Sequence, residues 1–322
     1  MRLQILFYIL ITVSLPIVGK AQLKYPYPVK SISLTLDGQD VKMVYMDLQP
    51  KSPNGEALIL FHGKNFTGFY WKGVMDFFAN AGYRVIVPDE VGWGLSSKPD
   101  MKYSFEMLAS NNRVLLDSLH IDKINVLGHS MGGMLAARFA IMFPERTKSL
   151  ILEDPLGLED YKKFVPFRSI EQQYKKELSG SYASYKKYQQ GYYPQWKPEY
   201  EIYVKAQAEP LKQKDFNSVA YVNASTYQMI YEGAVVYDLN KISAPTLLLV
   251  GQLDRTILGK DLLKPSQQKL HGNFPVLAGK ARLLIKNARL IVIPGVGHIP
   301  HIQVPELFCK DVMAFLNSGA KG

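Results

Sequence analysis

The sequence predicts an α/β fold in which a mostly parallel, doubly wound sheet is flanked by helices and carries an inserted, mainly helical segment. Three observations lead to this prediction. Short, continuous apolar runs alternate with helix-like stretches, one long stretch lacks such runs, and the composition is globular, with 47% hydrophobic and 20% charged residues among 322. This composition argues against intrinsic disorder and fibrous repeats.

The N-terminal residues have the layout of a secretory signal peptide. Arg2 precedes an apolar stretch over 3–18, and small residues follow it up to Ala21. We expect residues 1–21 to be a signal peptide that is cleaved after Ala21, which predicts a secreted or periplasmic location. The apolar stretch is shorter than the roughly 20 residues that a membrane-spanning helix needs, and Pro16 interrupts it. We therefore expect no stable membrane anchor, with retention of the segment as an anchor as the alternative.

Strand-like segments follow in order along the chain. Two alternating segments come first, and Asp37-Gly38 between them is a favoured hairpin turn, which predicts an antiparallel pair over 31–36 and 41–48. Short continuous apolar runs come next, and such runs suit strands buried on both faces of a sheet. These runs cover 57–61, 84–87, 123–127, 149–152, 246–250 and 290–293.

Helix-like stretches lie between these runs, and one larger segment breaks the alternation. Residues 155–240 contain no buried-strand run, combine helical spacing with Gly and Pro, and hold 13 of the chain's 20 tyrosines. We expect them to form a helical cap, called the inserted segment below, on an α/β core made of 22–154 and 241–322. The helices predicted in the core cover 71–80, 104–119, 131–143 and 305–316.

Charge and cysteine content restrict the chemistry. The formal net charge is +10 at pH 7, but no run of Lys and Arg is longer than two residues and no nucleic-acid-binding motif is present. We therefore interpret the basic residues as a solvated surface and expect no nucleic-acid partner. Cys309 is the only cysteine, which excludes an internal disulfide and a cluster of thiolate metal ligands. Catalysis would use oxygen and nitrogen groups.

The strongest chemical signal is the pentapeptide GHSMG at residues 128–132. It matches the pattern G-x-S-x-G and lies between the apolar run 123–127 and the predicted helix 131–143. This strand-turn-helix setting strains the backbone at the serine and requires small neighbours, and it directs the hydroxyl out of the sheet near the positive end of the helix. Ser130 is therefore the candidate nucleophile.

Four further motifs accompany the pentapeptide, and with them the chain resembles the α/β-hydrolases. The resemblance covers nearly the whole chain outside the N-terminal and inserted segments. It implies the α/β-hydrolase fold and a serine hydrolase whose triad runs Ser, acid, His along the chain. The motifs are His62-Gly63 after 57–61, residues 89–96 after 84–87, residues 251–254 after 246–250, and Gly297-His298 after 290–293.

A serine hydroxyl becomes a nucleophile when a base takes its proton and a carboxylate orients that base. His298 is the candidate base, because it lies in the loop after the last apolar run, and His301 is its rival. The resemblance implies Asp254 as the acid, four residues after the run that ends at 250. Glu153 and Asp154 are the alternatives, since some relatives place the acid after the preceding strand.

An acyl-transfer site also needs two donors for the oxyanion. The resemblance implies the backbone N–H groups of Met131 and Lys64. Residues 64–66 read KNF where relatives often carry proline or further glycines, which favours an esterase over a peptidase of the iminopeptidase type. His62 and the residues 89–96 are interpreted as structural parts of the loops beside the site.

The inserted segment is expected to select the substrate. Its tyrosines, together with Trp196, offer flat apolar faces and hydroxyls that suit an aromatic or amphipathic substrate, but packing of the inserted segment onto the core is the favoured interpretation of each. The tyrosines considered are Tyr182, Tyr185, Tyr188, Tyr192 and Tyr193.

The leading hypothesis is a serine hydrolase that cleaves small-molecule carboxylic esters with Ser130, His298 and Asp254, and it requires no metal or organic cofactor. An amidase or aminopeptidase, a lactonase, a carbon–carbon bond hydrolase and a cofactor-free haloperoxidase remain open within the same chemistry. A serine at position 130 argues against relatives that cleave epoxides or carbon–halogen bonds, because those use an aspartate there. A binding protein that does not turn over its ligand is the alternative from a different class.

Overall fold

The computed structural model describes residues 24–319. The predicted signal peptide lies outside these residues. No helix in the described part of the chain is long and apolar enough to cross a membrane. The described residues contain one mixed sheet with helices on both faces, so the predicted fold class is confirmed.

The sheet has eight strands in the order β1-β2-β4-β3-β5-β6-β7-β8. The first two strands form the expected antiparallel hairpin, β2 pairs antiparallel with β4, and the other neighbours are parallel. Each predicted strand is present with bounds that differ by a few residues. The strands are β1 (Val29–Leu36), β2 (Gln39–Leu48), β3 (Ala57–Phe61), β4 (Arg84–Asp89), β5 (Ile124–His129), β6 (Thr147–Glu153), β7 (Thr246–Gly251) and β8 (Ala288–Ile293).

Eleven α-helices accompany these strands in the described residues. The four predicted core helices are present, whereas α9 between β7 and β8 was not predicted. The helices are α1 (Lys72–Asn80), α2 (Phe105–Ser118), α3 (Met131–Met142), α4 (Ile170–Leu178), α5 (Tyr182–Gln190), α6 (Glu201–Ala208), α7 (Phe216–Glu232), α8 (Pro265–Gln268), α9 (Phe274–Leu284), α10 (Pro300–Gln303) and α11 (Pro305–Gly319).

The hydrophobic core has one layer on each face of the sheet. Helices α2, α3 and α9 bury apolar side chains on one face, and helices α1 and α11 bury theirs on the other. Strand β5 lies in the middle and all six of its residues are buried. This burial on both faces explains why the central strands are continuous apolar runs instead of alternating ones.

The inserted segment connects β6 to β7 and carries helices α4 to α7. Helix α4 begins with a reciprocal capping box, in which Ser169 accepts a hydrogen bond from the backbone of Gln172 and the Gln172 side chain accepts one from the backbone of Ser169. The segment contacts the loop after β8, because the backbone N–H of His298 donates to the carbonyl of Tyr192 at 2.8 Å. It therefore lies over the carboxyl ends of the parallel strands.

Candidate active site

The turn between β5 and α3 holds Ser130 in a strained conformation. Its φ of 59° and ψ of −118° lie in a region of backbone conformation that residues other than glycine rarely adopt. Its backbone N–H donates to the carbonyl of Glu153 at 3.0 Å. A methyl group at Gly128 would lie 2.0 Å from the carbonyl oxygen of Gly132, so the close approach of strand and helix requires glycine. The serine side chain is thereby directed at the carboxyl end of the sheet.

His298 joins Ser130 to Asp254 through two hydrogen bonds. Its Nε2 lies 2.9 Å from the Ser130 Oγ, and its Nδ1 lies 2.7 Å from an oxygen of Asp254. All three side chains are buried. An ionised Asp254 accepts the Nδ1–H, which leaves Nε2 free to accept the serine proton. The structure thus brings together the three residues that the sequence analysis selected.

The backbone around His298 is also held. Its N–H donates to the Tyr192 carbonyl, and its own carbonyl lies 2.8 Å from the Nε2 of His129. The Tyr192 ring stacks on the imidazole with ring centroids 4.9 Å apart, and the Tyr192 hydroxyl accepts a hydrogen bond from Asn65 at 2.8 Å. Tyr192 is therefore a packing partner of His298. The sequence analysis interpreted Tyr192 as packing onto the core, but it did not identify His298 as the partner, because the two residues are far apart along the chain.

Two carboxyl groups meet behind the imidazole. Burial alone would raise the pKa of Asp254, but the charge and hydrogen bond of His298 and hydrogen bonds from Asp154 and Thr256 together lower it. Burial and the neighbouring Asp254 raise the pKa of Asp154 well above its usual range. Asp154 is therefore the protonated member of the pair, and it sits behind Asp254.

His301, the alternative base, and Glu153, one of the two alternative acids, are hydrogen-bonded to each other. The Nδ1 of His301 lies 2.8 Å from Glu153, and the His301 backbone N–H donates to the same carboxyl group at 2.9 Å. Burial raises the pKa of Glu153 to about 7 and lowers the pKa of His301 well below its ordinary value. The His301 ring stacks on Trp71. The buried Glu153–His301 pair thus fills the base of the site beside the triad.

The two proposed oxyanion donors come from neighbouring loops. Met131 is the first residue of α3, so its backbone N–H has no acceptor within the helix. Lys64 lies in the loop after β3, and that loop touches the start of α3, since a methyl group at Gly132 would lie 2.7 Å from the carbonyl oxygen of His62. The Lys64 carbonyl accepts a hydrogen bond from Trp93, and its ammonium group lies 3.5 Å from Glu177 of the inserted segment.

His62 and Asp89 have the structural surroundings that the sequence analysis expected. His62 is fully buried and accepts a hydrogen bond from the backbone of Glu90, and burial lowers its pKa, which keeps it neutral. Asp89 accepts hydrogen bonds from the backbone N–H groups of Gly68 and Leu95. Both side chains fix the loops that surround the site.

A cavity of about 130 Å³ adjoins the loop that carries Lys64. Phe66, Trp93 and Tyr203 give it an aromatic lining. Lys98 also lines the cavity and donates to the carbonyl of Gly94 at 2.8 Å, and burial lowers its pKa. The Lys64 loop therefore lies between the hydrogen-bonded serine and a cavity whose lining includes both aromatic and polar side chains.

Comparison with known proteins identifies the family of this fold. The family model of the alpha/beta hydrolase fold matches residues 56–305. A probable hydrolytic enzyme from Pseudomonas aeruginosa PAO1 superposes with a TM-score of 0.89 at 42% sequence identity, covering 91% of this chain and 95% of that one.

Two curated relatives illustrate the range of activities. A 2-hydroxy-6-oxononadienedioate/2-hydroxy-6-oxononatrienedioate hydrolase from Burkholderia vietnamiensis is 39% identical over 143 residues, which are 42% of this chain and 48% of that protein, so the match spans about half its length. A putative 2-succinyl-6-hydroxy-2,4-cyclohexadiene-1-carboxylate synthase from Bacillus subtilis is 24% identical over 83% of this chain and 93% of its own. The chain belongs to the alpha/beta hydrolase fold family.

Proposed function

We propose that the protein is a serine hydrolase that cleaves small-molecule carboxylic esters through an acyl-enzyme intermediate. The observation that carries the proposal is the unbroken chain of hydrogen bonds from Ser130 through His298 to Asp254. This arrangement allows the imidazole to take the serine proton while the carboxylate stabilises the positive charge that forms on the ring.

The proposed reaction has two halves. The Ser130 oxygen attacks the ester carbonyl as its proton moves to the Nε2 of His298, and the backbone N–H groups of Met131 and Lys64 bind the tetrahedral oxyanion. Collapse of this intermediate releases the alcohol, which takes the proton from His298. Water then repeats the sequence on the acyl-enzyme, releases the carboxylic acid and restores Ser130. Each half needs only side chains and backbone groups of this chain.

The surroundings favour an aromatic or amphipathic ester. The cavity beside Lys64 offers the faces of Phe66, Trp93 and Tyr203 to an apolar group. The N-terminal layout of residues 1–21 supports action outside the cytoplasm, in a secreted or periplasmic form that begins at Gln22. Mass spectrometry of the protein purified from a secreting host tests this start.

Hydrolysis of a carbon–carbon bond beside a ketone is the second candidate. The observation that favours it is the similarity to the Burkholderia vietnamiensis enzyme, which is named as a hydrolase of 2-hydroxy-6-oxo dienedioates. Ester cleavage ranks first because the hydrogen-bonded Ser130, His298 and Asp254 are the side chains that acyl transfer uses.

The nucleophile is tested with a serine-directed fluorophosphonate probe. The wild-type protein is expected to be labelled, and Ser130→Ala is expected to lose both labelling and at least about a thousandfold in ester hydrolysis, because the base then has no nucleophile to activate. Ser118→Ala is the matched control, since Ser118 is exposed at the end of α2 and far from the turn. A folded wild-type protein that the probe does not label would indicate a binding protein.

The bond type is tested with a substrate panel. The panel contains p-nitrophenyl esters of rising chain length, the matching anilides, a lactone and a vinylogous 1,5-diketone. Fastest turnover is expected on an ester. The wild type could instead cleave the anilide or the diketone as fast as the ester or faster, with this activity lost in Ser130→Ala. That result would replace the proposed ester hydrolysis by amide or carbon–carbon bond hydrolysis.

A further inference from the structure

Helix α9 presents apolar side chains on two opposite sides. Its inner side packs on the sheet through four buried residues, Phe274, Ala278, Ala281 and Ile285. On the outer side, Val276, Lys280 and Leu283 follow the spacing i, i+4, i+7 and therefore share a face.

This outer face is open among the residues that the structure describes. Val276 is 50% exposed, Leu283 is 76% exposed and the neighbouring Leu284 is 44% exposed, and Leu270 in the loop before the helix is 75% exposed. A surface helix normally turns polar residues outward, so apolar residues on this side indicate a surface that meets a partner. We call Leu270, Val276, Lys280, Leu283 and Leu284 the α9 surface.

The charge around the α9 surface selects the partner. Between positions 255 and 286 the chain has seven Lys and Arg residues, all of them exposed. The same stretch has a single acidic residue, Asp261. Asp261 already binds Arg168 and Lys176 of the inserted segment at 2.9 and 2.8 Å. Residues 255–286 therefore carry a formal net charge of +6, which attracts an anionic surface.

Two other occupants fit less well. A second copy of the chain would place the same basic patch against itself in a two-fold interface, which is repulsive. A nucleic acid would match the charge but would leave the exposed leucines without a role, since single strands are bound by aromatic stacking and duplexes by polar contacts. Leucines flanked by lysines and arginines suit the boundary of a lipid bilayer, where apolar side chains enter the headgroup region and cations meet phosphates.

We propose that the α9 surface adsorbs the protein peripherally to membranes that contain anionic lipids. The α9 surface belongs to residues 255–286, which begin directly after Asp254. These residues contact the inserted segment, since Glu159 accepts a hydrogen bond from the backbone of Gly272 at 2.9 Å. Adsorption would thus place the membrane beside the part of the protein that covers the triad. The proposal concerns binding alone and does not depend on which bond the enzyme cleaves.

Vesicle sedimentation tests the proposal with a matched pair of variants. Lys280→Glu/Leu283→Ser changes the α9 surface, and Lys310→Glu/Leu307→Ser makes the same changes on α11, which packs on the opposite face of the sheet and has Leu307 45% exposed. Full-length protein is mixed with phosphatidylcholine vesicles with or without phosphatidylglycerol. Any binding by residues 1–21 is shared by all variants.

The wild type and the α11 variant are expected to bind the phosphatidylglycerol vesicles more tightly than the neutral ones, and added salt should weaken this preference. The α9 variant should partition onto the anionic vesicles about tenfold less, with hydrolysis of a soluble ester unchanged. Three results would overturn the proposal: no preference of the wild type for anionic vesicles, an equal loss in both variants, or a wild-type dimer that only the α9 variant converts to a monomer.

Discussion

Asp154 and Asp254 show how position decides the protonation state of identical side chains. Both are buried, and one oxygen of each carboxyl group and one ring nitrogen of His298 all lie within 4.8 Å of one another. Two carboxylates in such contact cannot both be ionised at low cost. The pKa of Asp254 is lowered because His298 faces it, while the pKa of Asp154 is raised by burial and by Asp254, although the backbone N–H of Gly251 donates to its carboxyl group.

Replacement of Asp154 tests this assignment. Asp154→Asn keeps a neutral donor toward Asp254, so kcat and the acidic limb of the kcat/KM profile should match the wild type. Asp154→Leu has a similar shape but no donor, and we expect kcat to fall about tenfold, the effect of losing one hydrogen bond to a charged group. Steady-state kinetics across pH measure both, with circular dichroism to verify folding.

The direction of any shift in the Asp154→Asn profile is informative. If Asp154 were ionised in the wild type, Asn would remove a negative charge near the imidazole, and the acidic limb would move to lower pH. That movement, or full activity of Asp154→Leu, would show that Asp154 does not act as a neutral donor.

At the scale of elements, two helical glycines have opposite roles. Gly132 lies where α3 meets β3, and an added methyl group would be 2.2 Å from a backbone oxygen that cannot move aside. Gly279 lies on the outer side of α9, where an added methyl group would meet nothing within 4 Å. The sequence analysis anticipated the first through the motif, but it did not predict α9, because its apolar residues occur on both sides and hide the helical period.

Alanine at these two positions should therefore change stability in opposite directions. Gly132→Ala is expected to lower the free energy of unfolding by about 1–3 kcal/mol or more, because strand and helix must separate. Gly279→Ala should raise it by about 0.5–1 kcal/mol, because alanine loses less backbone entropy in a helix. Urea unfolding followed by fluorescence compares the two. A destabilised Gly279→Ala, or an unaffected Gly132→Ala, would contradict the packing described above.

At the scale of the whole molecule, a buried acid makes folding depend on pH. Glu90 is fully buried after β4, accepts hydrogen bonds from Asn112 at 2.9 and 3.0 Å, and burial raises its pKa from 4.5 to about 8. Between these two values the unfolded chain releases the proton and the folded chain retains it. The free energy of unfolding therefore falls as pH rises from about 4.5 to about 8 through this group.

Glu90→Gln should remove this contribution. The variant is expected to match the wild type near pH 4.5 and to exceed it in stability by at least about 1 kcal/mol at pH 8, because the amide resembles the neutral acid and carries no charge to bury. Thermal unfolding across this range measures the difference. Glu145→Gln, at an exposed position, is the control and should show no such trend. A stability gap that does not widen with pH would mean that Glu90 is ionised in the folded protein.

The sequence by itself determined the order of strands and helices, the turn at Ser130 and the set of residues able to carry the chemistry, because these depend on local patterns of apolar residues, glycines and loops. Only the tertiary structure decided where the rival candidates lie: His301 pairs with Glu153, and Asp154 lies behind Asp254. It also decided that Tyr192 packs on the imidazole and that α9 turns leucines outward. Pairing of this kind depends on distances between residues that are far apart along the chain, and those distances exist only once the sheet has formed.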